Sequence, residues 1–453
     1  MVTEPLLRVR RTTHDISLTY GIRDALARLA DLPPSPELPY LTVCLDWRPA
    51  GGAPGRDDAP ELRRQGGNPS APPAPVVRRS QWRALRGAEG EQRRPGRTVM
   101  ENELRRLISE AGPRGEALDN LNAAAERIAE YLDTELDPSA QGIYIVANAA
   151  LGEFESLALG LPMETAVYLG PTPVLMPLAK KVDDHPAYFV LLADQQEATL
   201  ALIRRARHGR SVWLEATDFP RRTQRGALNQ ARYQRRVDER VNGFARHVAD
   251  ETLRAMQDEE VDMLIVAGNE VMTSALANEF HHTVQEAIID TIRLDMTASE
   301  QEVLDATLPI VERAERDREL EKVEDIAGRV AANGRGKAGA DAVLRALQAG
   351  QASGIAMVDD FAQEGWADFG LDLYGTGPVP AKHPAGGDVA NLVPVQLADE
   401  MIRLAVQTSA RIEIVKTLAD EVGPDGETRS EAARKLDELG GVGATLRYVQ
   451  QPA

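Results

Sequence analysis

Short apolar runs typical of β-strands alternate with helical patterns along most of this sequence. The first apolar run, PYLTVCLDW at 39–47, is followed by helical patterns near 99–108 and 115–136 and then by the run GIYIVAN at 142–148. Elements that alternate in this way bury their apolar faces against one another in mixed α/β domains. Since 453 residues exceed what one hydrophobic core supports, the sequence predicts several domains.

Three domains are predicted, with a mixed α+β fold. Residues 1–184 form an N-terminal α/β domain, and 185–300 form a middle domain that opens with a β-hairpin, AYFVLLADQQEATLALI at 187–203. Residues 301–453 begin with a long charged helix and continue as a small α/β/α sandwich. The segment PTPVLMPLAKKVDDHP, which precedes the hairpin, is predicted to link the first two domains.

Residues 50–97 interrupt the first domain with a segment rich in glycine, proline and arginine. No hydrophobic period continues through this segment, so a disordered insertion is predicted. Its ten arginines against five acidic residues could contact phosphate, although a solvated loop is the interpretation favoured.

Composition and the cysteine count exclude several classes of protein. Hydrophobic residues make up 43% of the chain and charged residues 27%, as in soluble globular proteins. No apolar stretch reaches the roughly 18–20 residues that span a bilayer and no signal-peptide pattern opens the chain, so a cytoplasmic location is expected. Cys44 is the only cysteine, which excludes internal disulfides and cysteine-based zinc clusters. Within its strand-like run, a small buried hydrophobe is favoured over a reactive thiol.

No cofactor or metal is expected. His281 and His282 are adjacent, so they would point different ways on a helix and would not share a metal. AANGRGKAG at 331–339 lacks the spacing of a phosphate-binding loop, and a flexible linker is favoured. A cluster of loop acids would suit a hard cation, although solvated acids are the interpretation favoured. These acids are Asp359, Asp360 and Glu364.

A basic segment stands out in a chain whose formal net charge is −18. Between Arg204 and Arg246 there are twelve arginines and four acidic residues, a local excess of eight positive charges. Such an excess is typical of proteins with phosphate-rich partners, because each phosphate that a protein neutralises releases condensed counterion. The alternative is a solvated helix face whose arginines pair with acidic residues elsewhere in the fold.

The second half of this segment predicts a helix that starts near Asn229 and has two distinct faces. Its apolar side chains recur every three or four residues and mark a buried stripe. They are Tyr233, Val237, Val241, Phe244 and Val248. Four arginines fall on the opposite arc at about 100° per residue, namely Arg232, Arg235, Arg236 and Arg246. The preceding stretch, PRRTQRGALNQ, predicts a projecting loop. This loop adds four residues to the predicted RNA-binding site, namely Arg221, Arg222, Arg225 and Gly226.

The order of these segments resembles the middle domain of the archaeo-eukaryotic class-one peptide-chain release factors and of their Pelota-type and bacterial relatives, among them the hibernation factor Balon. In that family a β-hairpin precedes a Gly-Gly-Gln loop and an arginine-rich helix that begins with an Arg-aromatic pair, as the hairpin at 187–203 precedes Arg232 and Tyr233 here. VDMLIVAG at 261–268 is similar to the family's strand ending in Ala-Gly. DAVLRALQAGQASGIAMVDD and GGVGATLRY are similar to its C-terminal domain, whose fold is shared with kink-turn-binding ribosomal proteins. The resemblance covers about 185–450, whereas the residues before it match only the bacterial branch in general style.

The sequence departs from the family at the Gly-Gly-Gln loop. Gly226 takes the place of the first glycine, Ala227 that of the second, and Leu228 that of the glutamine with which the family orients water on the peptidyl-tRNA ester. Leucine has no side-chain donor or acceptor, so hydrolysis is not expected. Gln224 and Gln230 are the glutamines that could replace it if the loop were rebuilt. The Asn-Ile-Lys-Ser and Tyr-x-Cys motifs of stop-codon readers are also absent from the sequence.

The resemblance implies a non-catalytic, ribosome-associated translation factor that binds the aminoacyl site in hibernation, in the response to stalling or in rescue. Its implied partners are ribosomal RNA and transfer RNA and, through the C-terminal domain, a translational GTPase such as elongation factor Tu. Two alternatives stay open. One is a peptidyl-tRNA hydrolase with a relocated glutamine, and the other is an acidic protein–protein scaffold whose arginines pair with its own acids.

Overall fold

The computed structural model describes residues 7–13, 22–48, 95–137, 140–183, 187–204, 207–216, 230–332, 334–418 and 429–448. The chain forms two compact units: the smaller comprises 24–178 and 380–395, and the larger comprises 1–23, 179–379 and 396–453. The division into three domains, with boundaries after 184 and 300, stays a prediction. The predicted insertion at 50–97 lies outside the described residues up to 94, and its last residues begin a helix.

The first half of the chain contains, in order, β1 (Leu7–Thr13), α1 (Ile22–Ala30), β2 (Tyr40–Asp46), α2 (Pro95–Ala111), α3 (Glu116–Thr134), β3 (Gly142–Asn148), β4 (Glu153–Leu159), β5 (Ala166–Gly170), α4 (Met176–Asp183), β6 (Tyr188–Ala193), β7 (Glu197–Arg204) and β8 (Arg207–Ala216). The second half contains α5 (Gln230–Asp258), β9 (Leu264–Gly268), α6 (Glu270–Glu279), α7 (His282–Ala287), β10 (Ile288–Ile292), α8 (Glu300–Ala331), β11 (Gly336–Ala338), α9 (Ala340–Gln348), β12 (Ala352–Val358), β13 (Glu364–Asp368), β14 (Leu373–Thr376), β15 (Val393–Gln396), α10 (Leu397–Gln407), β16 (Arg411–Val415), α11 (Glu431–Glu438) and β17 (Val442–Leu446). This element order confirms the predicted mixed α+β class. Over the described part of the chain, no helix is both long and apolar enough to span a membrane.

The smaller unit is built on a four-stranded antiparallel sheet in the order β4-β3-β2-β5. Alternate residues of a strand face opposite sides of the sheet. Leu41 and Val43 of β2 therefore share a face with Ile143 and Ile145 of β3, and all four pack in one core with α2 and α3. Cys44 is 1% exposed on the other face of β2. The expectation of a small buried hydrophobe in a strand is confirmed.

The larger unit contains a six-stranded sheet in the order β1-β8-β7-β6-β9-β10. The predicted hairpin is confirmed as β6 and β7, and Asp194 Oδ1 accepts hydrogen bonds in its turn from Gln196 N at 2.7 Å and Glu197 N at 2.8 Å. β9 lies between β6 and β10 and runs parallel to both. Helices α5, α6 and α7 pack on one face of this sheet, and the first half of α8 packs on the other.

A close approach between strands fixes the end of β9. Gly268 has a φ of +136°, and a Cβ at this position would lie 1.9 Å from the Ala193 carbonyl oxygen on β6. Only glycine fits there, because any side chain would overlap the neighbouring backbone. Asn269 follows as the N-cap of α6 and accepts a hydrogen bond from Met272 N at 2.9 Å. The motif VDMLIVAG thus ends in a tight strand-to-helix turn.

A second sheet of the larger unit has the order β11-β17-β12-β16. Val323 and Ile326 of α8, with Leu436 of α11, form a core with Ala356 and Val358 of β12. Helices α9 and α10 also contact β12. These layers agree with the predicted α/β/α sandwich. Helix α8 therefore contributes to the core of the six-stranded sheet and to that of this four-stranded sheet.

Three segments interpreted as loops or linkers from the sequence contain regular elements. The predicted link at 171–186 includes the helix α4, and the predicted flexible linker at 331–339 includes β11, which pairs with β17. The predicted acidic loop near 364 forms β13, which pairs with β14. All three elements are short. The two strands depend on partner strands that are distant in sequence or that have a weak hydrophobic pattern themselves. Local periodicity therefore gave no signal for them.

Two acids of that region, Asp359 and Asp360, bond to groups of the protein, whereas Glu364 is exposed. Asp359 Oδ1 accepts hydrogen bonds from Thr417 N at 3.2 Å and from Thr417 Oγ1 at 2.6 Å. Asp360 pairs with Arg429 at 2.8 Å, and this hydrogen bond lowers the pKa of the Asp360 carboxyl. Glu364 is the first residue of β13. Two of the three acids therefore form hydrogen bonds or ion pairs within the protein.

Candidate nucleic-acid interface

The structure describes some of the predicted RNA-binding residues fully, some by their backbone alone and others not at all. The projecting loop lies outside the described residues, with Arg221, Arg222, Gln224, Arg225, Gly226 and Leu228. The next residues belong to α5, of which the backbone alone is described up to 238. They include Gln230, Arg232, Tyr233, Arg235, Arg236 and Val237. Arg246 is described with its side chain.

Helix α5 buries part of the apolar stripe that its sequence predicts. It runs from Gln230 to Asp258, close to the predicted start, and its 29 residues extend about 43 Å. Val241, Phe244 and Val248 are 4%, 1% and 0% exposed and pack in the core beneath the six-stranded sheet. The buried stripe is confirmed over these three positions. Packing of this stripe fixes which side of the helix faces away from the sheet.

Arg246 lies on the outward side of α5 and has a partner in the fold. Its side chain is 63% exposed, and its Nε donates to Glu279 Oε2 at 3.0 Å. The hydrogen bond to Glu279 raises the pKa of the Arg246 guanidinium. Because exposed ion pairs are weak and phosphate is a strong bidentate acceptor, an incoming phosphate can compete for this guanidinium.

A second arginine of α5 makes a similar contact. Arg254 Nη1 donates to Glu251 Oε1 at 2.6 Å, one turn away on the same helix. The side chain of Arg254 is 64% exposed, so this pair also lies at the surface. The interpretation that arginines pair with acidic residues of the same chain thus applies to the C-terminal half of α5, which contains Asp250, Glu251 and Asp258.

Sequence reasoning missed a second basic element, which lies in the sheet on which α5 packs. Strand β1 pairs antiparallel with β8 over its whole length, from Leu7 opposite Ala216 to Thr13 opposite Arg210. Residues predicted to belong to the N-terminal domain thus complete the sheet on which α5 packs. No local signal predicts this pairing, because about 200 residues separate the two strands.

Metal-binding chemistry finds no support among the described side chains. They include no group of three or more histidine, cysteine, aspartate or glutamate residues that could hold a metal ion. The rings of His281 and His282 lie 4.2 Å apart, and His281 Nδ1 accepts a hydrogen bond from Thr283 N at 3.4 Å at the start of α7. The pair therefore has a local role in starting a helix.

The segment that contains the hairpin and α5 is similar to known proteins. A family model described as bacterial archaeo-eukaryotic release factor family 10 matches residues 173–312. Peptide chain release factor subunit 1 of Methanocaldococcus jannaschii is 25% identical over 232 residues, which make up 45% of this chain and 52% of that protein. The chain thus spans about half the length of this curated relative.

Solved structures with similarity to the chain include an archaeal Pelota and Dom34 of S. cerevisiae. Ribosome-bound archaeal Pelota, determined with ABCE1, is 16% identical, with 66% of this chain and 73% of that chain covered and a TM-score of 0.38. Dom34 of S. cerevisiae, a translation termination-like factor that interacts with Hbs1, is 10% identical, with 69% and 80% covered and a TM-score of 0.35. The assignment depends on residues 173–312 and on the M. jannaschii protein. Together they show that this part of the chain is similar to archaeo-eukaryotic release factors and to a bacterial family of them.

Proposed function

We propose that the chain is a ribosome-associated translation factor whose arginine-rich segment contacts RNA phosphates in the aminoacyl site. The observation that carries the proposal is the excess of eight positive charges between Arg204 and Arg246, in a chain of net charge −18. This excess falls inside the segment that matches the release-factor family. Arginine suits the role because its planar fork pairs with two phosphate oxygens and also stacks on bases.

The packing of α5 supports the same proposal. Val241, Phe244 and Val248 hold the middle of the helix against the sheet. Arginines at Arg232, Arg235 and Arg236 precede this anchored part on the same helix. A helix anchored at its middle holds its first turns in a fixed direction, which lowers the entropic cost of placing arginines on phosphates.

Co-sedimentation with bacterial ribosomes at low and high salt tests the proposal. We expect salt-sensitive binding that is lost when Arg232, Arg235 and Arg236 are all changed to glutamate. The matched control changes three exposed arginines elsewhere, Arg105, Arg313 and Arg345, to glutamate and alters the net charge equally. Unchanged binding of the first variant, or equal loss in both variants, would contradict a specific role for α5.

The proposal assigns no hydrolytic activity to the chain, since Leu228 stands where the family has its glutamine. Leucine cannot orient a water molecule on an ester. We expect no peptide release from ribosome-bound peptidyl-tRNA. Release that disappears in Gln224→Ala or Gln230→Ala would instead favour the hydrolase with a relocated glutamine.

The physiological setting and the second partner are proposed on the resemblance. Hibernation, stalling response and rescue all require a factor in the aminoacyl site of a ribosome that is not translating. A translational GTPase such as elongation factor Tu is proposed to bind the part of the chain after 301. Co-elution that depends on the GTP-bound form of elongation factor Tu is the expected result. Equal co-elution with the GDP-bound form, or none, would count against this partner.

A further inference from the structure

We propose that the edge strand β1 is a second RNA-backbone-binding element, which shares its edge of the six-stranded sheet with the arginines of β8. This inference rests on the proposed function and extends its surface to the N-terminus of the chain. The juxtaposition that carries it is the pairing of β1, with Arg8, Arg10 and Arg11, to β8, with Arg207 and Arg210, at one edge of the six-stranded sheet.

The charge of this edge differs from that of the rest of the chain. β1 has three arginines in seven residues and no acidic residue. β8 adds two arginines and a single acid, Glu215, whose Cα register position is opposite Arg8. Five arginines and one acid leave an excess of four positive charges on the two strands.

The opposite edge of the same sheet provides an internal comparison. There, β10 has the sequence IIDTI, in which Asp290 is the only charged residue. Asp290 also pairs with Arg313 of α8 at 3.6 Å. The basic character therefore belongs to the β1 edge and is not a general property of this sheet.

The register connects β1 to the predicted RNA-binding segment. Leu7 lies opposite Ala216, which is the last residue of β8. The chain continues from Ala216 into the stretch with Arg221, Arg222 and Arg225. The register thus places the start of β1 opposite the last residue of β8, after which the arginine-rich stretch follows in the sequence.

An RNA backbone is the partner that suits such an edge. An outermost strand leaves one row of backbone N–H and C=O groups unpaired within the sheet. Backbone N–H groups and arginines are both common donors to phosphate oxygens. Seven residues in a strand extend about 23 Å, which is long enough to follow several phosphates.

Two charge-matched variants test this inference. In the first, Arg8, Arg10 and Arg11 are changed to glutamine, and in the second Arg105, Arg313 and Arg345 are changed to glutamine. The affinity for purified bacterial ribosomal RNA is measured over a range of salt concentrations. Loss of three phosphate contacts should reduce the slope of log K against log salt by about 2–3 in the first variant. The second variant should keep the slope of the unmodified protein.

The outcomes separate this inference from the proposed function. No salt-dependent binding of RNA by the unmodified protein would contradict the proposed function itself. Binding by the unmodified protein with the same slope in the Arg8/Arg10/Arg11 variant would overturn the role of β1 alone. The glutamine variant could aggregate, and a variant with lysine at the same three positions keeps the charge. If the glutamine variant aggregates and the lysine variant binds RNA no more tightly than it does, the arginines serve only to prevent edge-to-edge pairing of β1. This result would overturn the inference. If the protein binds polyglutamic acid as tightly as it binds RNA, the partner of β1 is an acidic protein. This result would also overturn the inference.

A measurement on the unmodified protein makes the test independent of how the variants fold. Hydrogen exchange of residues 7–13 is compared with and without ribosomal RNA, with β10 as the internal reference. We expect RNA to slow exchange in β1 and to leave β10 unchanged. No protection of β1 under conditions where α5 is protected would overturn the inference while leaving the proposed function in place.

Discussion

Arg246 Nε donates to Glu279 Oε2 at 3.0 Å and so ties the outward face of α5 to the last residue of α6. Glu279 is the more enclosed partner, with its side chain 22% exposed against 63% for Arg246. The carboxylate therefore acts as a counter-charge already in place at one edge of the predicted RNA-binding surface. Arg246 can bind phosphate only by sharing or leaving this partner.

Removal of the counter-charge should strengthen RNA binding. In Glu279→Gln, Arg246 keeps its place but loses the competing carboxylate, so the affinity for ribosomal RNA should rise roughly 1.5- to 5-fold, the range typical of an exposed ion pair. The measurement is a binding titration at about physiological salt. Glu251→Gln, which frees Arg254 farther along the same helix, is the matched control and should leave the affinity unchanged. Equal effects of both variants would show that only net charge matters.

A methyl group at Gly268 should destabilise the six-stranded sheet. Gly268→Ala places Cβ against the Ala193 carbonyl oxygen and keeps φ positive, so we expect a loss of about 1–3 kcal/mol in the free energy of unfolding. Gly243→Ala is the control, because a Cβ there meets nothing within 4 Å in the middle of α5. It should stabilise the protein by about 0.5–1 kcal/mol. Urea unfolding measures both, and equal stability of the two variants would contradict the strand contact.

Two glutamates of α8 should respond to pH in opposite ways. Burial raises the pKa of Glu315, while hydrogen bonds from Ser299 N and Oγ at 2.8 and 2.7 Å lower the pKa of Glu302. Both carboxyls ordinarily titrate near 4.5. For Glu315, ionisation in the fold costs stability as pH rises through its raised pKa. For Glu302, stabilisation is present above the ordinary pKa and is lost as pH falls through the lowered one.

The sign of each substitution follows. At pH 7, Glu315→Gln should raise the Tm because a buried charge is removed, and Glu302→Gln should lower it because the capping box of α8 is weakened. Both differences should shrink as the pH falls, for Glu315 as the pH passes below its raised pKa and for Glu302 only below its lowered pKa. Thermal unfolding between pH 3 and pH 8 tests the pair. A Tm that falls in Glu315→Gln at pH 7 would mean that its contact with Arg318 outweighs its burial.

A buried ion pair should stabilise the hairpin of β13 and β14 against α10. Arg403 Nε donates to Glu400 Oε2 at 2.8 Å, both side chains are at most 6% exposed, and Arg403 also bonds the hydroxyl of Tyr374 in β14. Arg403→Met leaves the Glu400 charge buried without this partner and should cost about 3–5 kcal/mol. Tyr374→Phe removes one hydrogen bond and should cost about 0.5–1.5 kcal/mol. Arg403→Met with Glu400→Gln should be more stable than Arg403→Met alone, and the reverse order would contradict the charge argument.

Elements with a strong local pattern were predictable from the sequence. The hairpin of β6 and β7 and the helix α8 lie within a few residues of their predicted bounds. The hairpin is set by two apolar runs around a polar turn at Asp194, and the start of α8 by the capping box of Ser299 and Glu302. The buried face of α5 at Val241, Phe244 and Val248 also followed from the sequence, because helical periodicity determines which side chains share a face.

Features that depend on distant partners were not predictable. The pairing of β1 with β8 joins segments about 200 residues apart, and the contact of Arg246 with Glu279 joins two helices. Neither residue of such a pair has a local pattern that identifies its partner. The acids Asp359 and Asp360 were misinterpreted for the same reason, since their partners Thr417 and Arg429 lie far along the chain.

The most direct test of the central claim is the affinity of the chain for bacterial ribosomes whose aminoacyl site is empty or filled by transfer RNA. The proposed function predicts tight, salt-dependent binding to the empty site and at least a tenfold weaker affinity when transfer RNA occupies it. It also predicts that changing Arg232, Arg235 and Arg236 to glutamate removes the difference. Equal affinity for both ribosome preparations, unaffected by these substitutions, would contradict the claim that the arginine-rich helix binds RNA in the aminoacyl site.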